Sequence, residues 1–250
     1  MGEVTVKGVK QADSVNTVSQ SQMEQFNSTT VSTALQLLPG VHLANIGARN
    51  ESVVYVRGFN LRQTPVFIDG VPVYVPYDGY VDMGRFTTFD LEKIQVSKGF
   101  ASILYGPNTL GGAINLISRR PQKRIEIGAR AGLFSGNGYR WNVNAGSRLG
   151  KFYYQAGISQ LKQTTFPLSD KFKPVRYQMS KNRENAYRDD FKISVKVGFA
   201  PKEGHEYVLG YVNQQGEKGN PPYLGGTPRF WTWPKWNKES IFFISSVSTN

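Results

Sequence analysis

Residues 124–134, RIEIGARAGLF, put Ile125, Ile127, Ala129, Ala131 and Leu133 on one face of an extended chain and Arg124, Glu126, Gly128 and Arg130 on the other. Side chains of a strand alternate with period two, so one face is greasy and the other wet. The pattern recurs downstream. In YRWNVNAGSRL (139–149) the apolar face is Tyr139, Trp141, Val143 and Ala145, opposed by Arg140, Asn142, Asn144 and Arg148. Phe152, Tyr154, Ala156 and Ile158 repeat it, as do Phe191, Ile193, Val195, Val197 and Phe199 against Asp190, Lys192, Ser194 and Lys196. Each segment runs about ten or eleven residues, the length a tilted strand needs to cross a bilayer. Strands of a soluble β-sandwich also alternate, but typically over about five or six residues. Length, and inner faces carrying Arg and Lys, favour the wall of a transmembrane barrel. Aromatic residues near the segment ends, such as Phe134, Tyr139, Phe152 and Phe199, suit interfacial girdles.

The joints fit the same reading. Those at 149–151 and 201–204 are tight, whereas 163–187 and 215–236 are long excursions, as expected when short periplasmic turns alternate with long outer loops. The first joint, 135–138, is a short exception. The alternation around 205–213 and 238–249 is less clean.

Upstream of Pro121 the chain obeys another grammar. TTVSTALQLL (29–38) sets a Thr or Ser cap before Ala34, Leu35, Leu37 and Leu38, and Pro39-Gly40 stops it, which predicts a short helix. SVVYVRGF (52–59), PVFIDG (65–70) and EKIQVSKG (92–99) read as short strands, each punctuated by Gly. Residues 26–121 are therefore expected to form a small α+β domain, and the polar residues 1–25 a flexible tail able to lend a strand to a partner.

Composition removes other classes. With no cysteine, disulfide frameworks, Cys-type zinc sites, iron–sulfur clusters and thiol nucleophiles are excluded. His42 and His205 stand in no metal-ligand spacing, and no Ser-His-Asp set, Walker loop or paired catalytic carboxylates can be assembled. No catalytic residue, metal site or cofactor is expected. The net charge of +12 calls for an anionic partner or a cationic surface, but dispersed Lys and Arg without a recognition motif speak against nucleic acid. The mean hydropathy of -0.39 is compatible with a barrel, which hides its apolar band in every second residue. The polar start, MGEVTVKG, lacks the apolar core of a signal peptide, so either a mature protein is shown or the true start lies elsewhere.

Five elements occur in a fixed order: STALQLLPGV (32–41), VYVRGF (54–59), VFIDGVPV (66–73), DLEKIQVSKG (90–99) and SILYGPNTLGGAINLISRRP (102–121). In this order the chain resembles the TonB-dependent outer-membrane receptors, closely over the plug domain and by pattern alone beyond it. The resemblance implies an α+β plug domain followed by antiparallel transmembrane β-barrel strands. Residues 122–250 would supply about six of the roughly 22 strands that the family builds, so a carboxy-terminally truncated sequence is expected. An open edge in lipid would leave backbone groups unpaired.

The resemblance also implies site residues. A TonB box, which pairs edge-on with a strand of TonB, matches Glu3, Val4, Thr5 and Val6. Two plug basic residues that face barrel-wall carboxylates match Arg57 and Lys98, although Lys98 stands where Arg is commoner and lacks its bidentate fork. Apical substrate contacts match Arg62, Gln63, Tyr74, Tyr77, Asp78, Tyr80 and Arg85, some of which could equally pack the plug apex. The implied partners are TonB with its inner-membrane energising complex, outer-membrane lipid and lipopolysaccharide, and a ferric siderophore or similar chelate. Iron would enter only as chelated substrate, and a monomer in a Gram-negative outer membrane is expected. Haem, cobalamin or oligosaccharide transport, a passive plugged channel and a soluble binding module are the alternatives. The loop 163–187 is basic, and would draw in an anionic chelate or neutralise lipopolysaccharide phosphates. Trp231, Trp233 and Trp236 would stack on substrate or lie in the lipid interface.

Overall fold

A computed structural model describes residues 16–46, 51–73, 81–99, 106–227 and 230–247. The first domain contains β1 (Thr17–Ser19), α1 (Gln20–Gln25), α2 (Val31–Leu35), β2 (Val41–Ile46), β3 (Glu51–Val56), β4 (Val66–Ile68), β5 (Val71–Val73), a 3-10 turn at Met83–Arg85, β6 (Leu91–Lys98) and β7 (Gly112–Ser118). Five of these strands form one sheet in the order β1-β6-β7-β4-β5, with β4 parallel to β7 and the other pairs antiparallel. A β2-β3 hairpin stands apart from it.

The helix expected over 29–38 shortens to α2. Thr30 caps it by accepting from the Thr33 amide at 3.4 Å. Leu37 and Leu38 then close i→i−3 bonds to Ala34 and Leu35, the tightening that ends many helices, and Gly40 takes a left-handed turn at φ +72. Val31, Ala34 and Leu35 lie wholly inside, clustered with Met83, Ile94 and Ile114. Each fully buried aliphatic side chain of that size contributes about 1.5–3 kcal/mol. The domain also begins earlier than expected. Val18 of β1 and Met23 of α1 belong to the core, and Ser19 forms a capping box with Gln22, so the tail boundary at residue 25 falls too late. The cause is an apolar residue on each of two very short elements, too few to register as a period.

Beyond Pro121 come β8 (Glu126–Phe134), β9 (Gly138–Leu149), β10 (Phe152–Gln163), β11 (Arg188–Lys202), β12 (His205–Asn220), β13 (Trp231–Trp233) and β14 (Lys238–Val247). They make an antiparallel sheet in chain order from β8 to β12, with β13 and β14 both beside β12. β13 pairs with Lys218–Asn220 and β14 with His205–Gln214. The two thus share one strand position, interrupted at residues 234–237, where Pro234 offers no amide to the ladder.

The sheet curves around the plug with the alternation read from sequence. Tyr153, Gln155 and Ser159 of β10, and Asp190, Lys192 and Lys196 of β11, are buried against the plug. Ile127, Leu133, Leu209, Ile241 and Phe243 point away from it and are 55% to 89% exposed, an apolar belt suited to lipid. The less regular stretches are thereby assigned: Val208, Gly210 and Gln214 face inward, as do their partners Ile244, Phe242 and Lys238.

Candidate functional site: the interface between plug and wall

Three plug aspartates meet three wall lysines. Asp90 ends the turn before β6 and accepts from Lys192 Nζ at 2.8–2.9 Å, with both side chains 8% exposed. Asp82 caps the 3-10 turn through Gly84 N, holds Ser52 N at 3.0 Å, and pairs with Lys218 at 2.5 Å. Asp69, held at φ +49 by the turn between β4 and β5, accepts from Ser118 N and Oγ. Lys196 reaches this pair, 2.5 Å from Ser118 Oγ and 3.7 Å from Asp69.

Two pairs run the other way, Arg85 with Asp190 and Arg120 with Glu206. Arg85 of the 3-10 turn lies 2.8 Å from Asp190 of β11, and the two are 1% and 2% exposed. Burial pushes the Arg85 guanidinium below its ordinary value, and the charge of Asp190 offsets part of that shift. Gly216, directly across the ladder from Asp190, makes the space: a Cβ there would sit 1.8 Å from the guanidinium nitrogen. Gln214 donates to Arg85 O at 2.6 Å and Arg188 to Gly84 O at 2.5 Å, so the turn is also gripped through its backbone. Lower down, Arg120 pairs with Glu206 at 2.5 Å, and Tyr153 donates to the same carboxylate at 2.7 Å.

Several expected positions move. Arg85, expected among apical substrate contacts, is buried between Asp190 and the ring of Trp236, whose centroid lies 5.3 Å away. It is a plug-to-wall contact, because the wall supplies a carboxylate and a ring that outcompete solvent. Trp236 packs edge-on to Phe86 of the plug at 6.0 Å, against the plug core rather than toward lipid. Arg57 is exposed at φ +50, with its amide donating to Gly40 O, and Lys98 is half-buried. Burial and the nearby charge of Arg57 hold the Lys98 ammonium below its usual range. Among the described residues neither forms an ion pair. In three of the described pairs the carboxylate is on the plug and the ammonium group on the wall. The inward spacing of Lys192 and Lys196 was a sequence signal for this; their partners were not legible.

Arg62 and Gln63 are exposed in the turn after β3, where Asn60 accepts from the Arg62 amide at 3.0 Å. Glu3, Val4, Thr5, Val6, Tyr74, Tyr77, Asp78 and Tyr80 lie outside the described residues. The basic loop between β10 and β11 is ordered around Gln178, which is fully buried. Gln178 donates to Ser180 O and Asn182 O and accepts from Arg183 and the Glu184 amide. Burial lowers the Arg183 guanidinium, while Lys171, Lys173, Arg176 and Lys181 stay exposed. No group of three or more His, Asp or Glu able to hold a metal ion occurs among the described residues.

An α+β plug ion-paired to the inner face of an antiparallel sheet with an apolar outer belt defines a plugged β-barrel membrane protein. Residues 7–113 match the TonB-dependent Receptor Plug Domain family. Over 104 residues the chain is 32% identical to the vitamin B12 transporter BtuB of Vibrio vulnificus, covering 41% of this chain and 17% of that protein. It superposes on the ferric-catecholate import receptor Fiu of E. coli K12 with a TM-score of 0.63 at 20% identity, over 83% of this chain and 28% of Fiu. For the pyoverdine outer membrane receptor FpvA of Pseudomonas aeruginosa PAO1 the TM-score is 0.64 at 18% identity, over 84% and 28%. The plug segment is thus similar to that of TonB-dependent receptors, and the chain spans less than a third of the length of these relatives.

Proposed function

We propose that the protein of which this chain is part imports a scarce solute across the outer membrane at the expense of TonB-transmitted energy, with a ferric siderophore or similar metal chelate as cargo. The observation that carries this reading is the plug's attachment to the wall through buried ion pairs at Asp69, Asp82, Arg85 and Asp90. Several such pairs, satisfied together, specify one docked arrangement of the plug. Opening then calls for an outside pull. The segment Glu3, Val4, Thr5 and Val6 is the proposed handle, pairing edge-on with a TonB strand. Arg62, Gln63, Tyr74, Tyr77, Asp78 and Tyr80 are the proposed apical contacts, offering rigid aromatic surface and a cation to an anionic chelate. The functions of the similar proteins, vitamin B12 transport, ferric-catecholate import and pyoverdine reception, are in keeping with a chelate-sized cargo.

Uptake of ferric chelates, haem and cobalamin by cells carrying the full-length receptor, with and without residues 1–10, tests the reading. Uptake of one cargo is expected to vanish on deletion. Equal uptake in both would overturn the handle, and a conducting channel with the plug intact would replace import by passive permeation.

A further inference from the structure

Between α1 and the inner face of β8–β10 lies a cavity of about 410 Å3 with an unbalanced lining. Arg119 from the end of the plug, Arg130 from β8 and Arg140 from β9 line it, against Glu24 of α1 as the sole lining carboxylate among the described residues. The nearest other carboxylates are engaged: Asp90 by Lys192, and Glu126 by the amides of Gln122 and Lys123 at 2.7 Å. Three buried polar atoms on lining residues, Arg119 Nε, Thr87 Oγ1 and Ser159 Oγ, lack a hydrogen-bond partner. Buried polar groups are rarely left unpaired, and such a set around one cavity marks a place where polar partners belong.

Glu24 shows which chemistry fits. One carboxylate oxygen accepts from Gln20 at 2.6 Å, pairs closely with Arg130, and lies 3.6 Å from Arg119. Arg140, the third cation, donates to the neutral side-chain oxygen of Asn27 and has no carboxylate partner among the described residues. Planar guanidinium groups match carboxylates in paired hydrogen bonds.

We propose that this cavity is a binding site for a carboxylate-bearing solute, held by Arg119, Arg130 and Arg140, with Glu24 as an internal competitor for the same cations. The site lies between plug and wall, apart from the exposed turn at Arg62 and Gln63. A carboxylate arriving there neutralises the surplus charge and gives Arg119 Nε, Thr87 and Ser159 acceptors within the lining. Binding requires no transport, so it stands or falls separately from the import reading.

The test is calorimetric titration of the detergent-solubilised full-length receptor with tricarballylate, a metal-free tricarboxylate. Saturable binding is expected. Arg119→Gln and Arg140→Gln should each weaken it about tenfold, the loss that one charge-assisted hydrogen bond represents. Glu24→Gln should tighten it by a similar factor, a gain that a loosened or misfolded plug would not produce. Lys151→Gln, in the exposed turn between β9 and β10, should leave it unchanged. No saturable binding to the parent protein, no tightening with Glu24→Gln, or equal weakening by Lys151→Gln would each overturn the site.

Discussion

At the residue scale, Lys192 and Asp90 hold each other in a space neither could occupy alone. Lys192→Met leaves a buried carboxylate unpaired and should destabilise plug docking by about 3–5 kcal/mol, whereas Lys192→Met with Asp90→Leu should come close to the parent. Thermal unfolding in detergent across the four-member cycle checks this; equal losses in single and double variants would remove the pair from the account. Glu24 makes a pH prediction. Burial raises its pKa, but hydrogen bonds from Gln20 and Arg130 and the charges of Arg130 and Arg119 outweigh burial and lower it overall. A carboxyl lowered on folding contributes stability that is present above its unfolded pKa and is lost as pH falls through the folded one. Attachment of α1 to β8 should therefore persist at pH 5 and above and weaken only below the ordinary glutamate range of about 4.3, read as amide exchange in α1. Residues like these were half legible. Lys192 and Lys196 fall on the polar face of an alternating strand, but their plug partners lie 102 and 78 positions away. Alternation is a local property of the chain; a partner across the interface is set by how two domains dock.

At the scale of elements, strands of nine or more residues carried their own evidence, because each repeats its period several times over. β8 to β11 accordingly fall where RIEIGARAGLF and its successors place them. Very short elements such as β1 and α1 cannot repeat anything, and only tertiary burial of Val18 and Met23 reveals them. The loop between β10 and β11 shows the same limit, since basic composition predicted its charge but not that one glutamine organises it. Gln178→Ala removes four hydrogen bonds to that loop and should expose its Lys and Arg residues to trypsin many times faster, while the sheet keeps its melting temperature. A matching drop in global stability would show that loop and sheet unfold together.

At the scale of the whole molecule, the plug's aspartates and the wall's lysines divide the charge of one interface between two bodies. Together they nearly cancel, which is why the contact tolerates burial. Apart, they do not. A wall lacking its plug would present Lys192, Lys196, Lys218 and Lys238 of β11, β12 and β14 to open water, with Asp190 and Glu206 as opposing charges on the inward faces of β11 and β12. This sector of the emptied lumen should favour anions: in a potassium chloride gradient across a planar bilayer, the reversal potential should shift toward that of chloride, and Lys192→Gln with Lys196→Gln should bring it back toward zero.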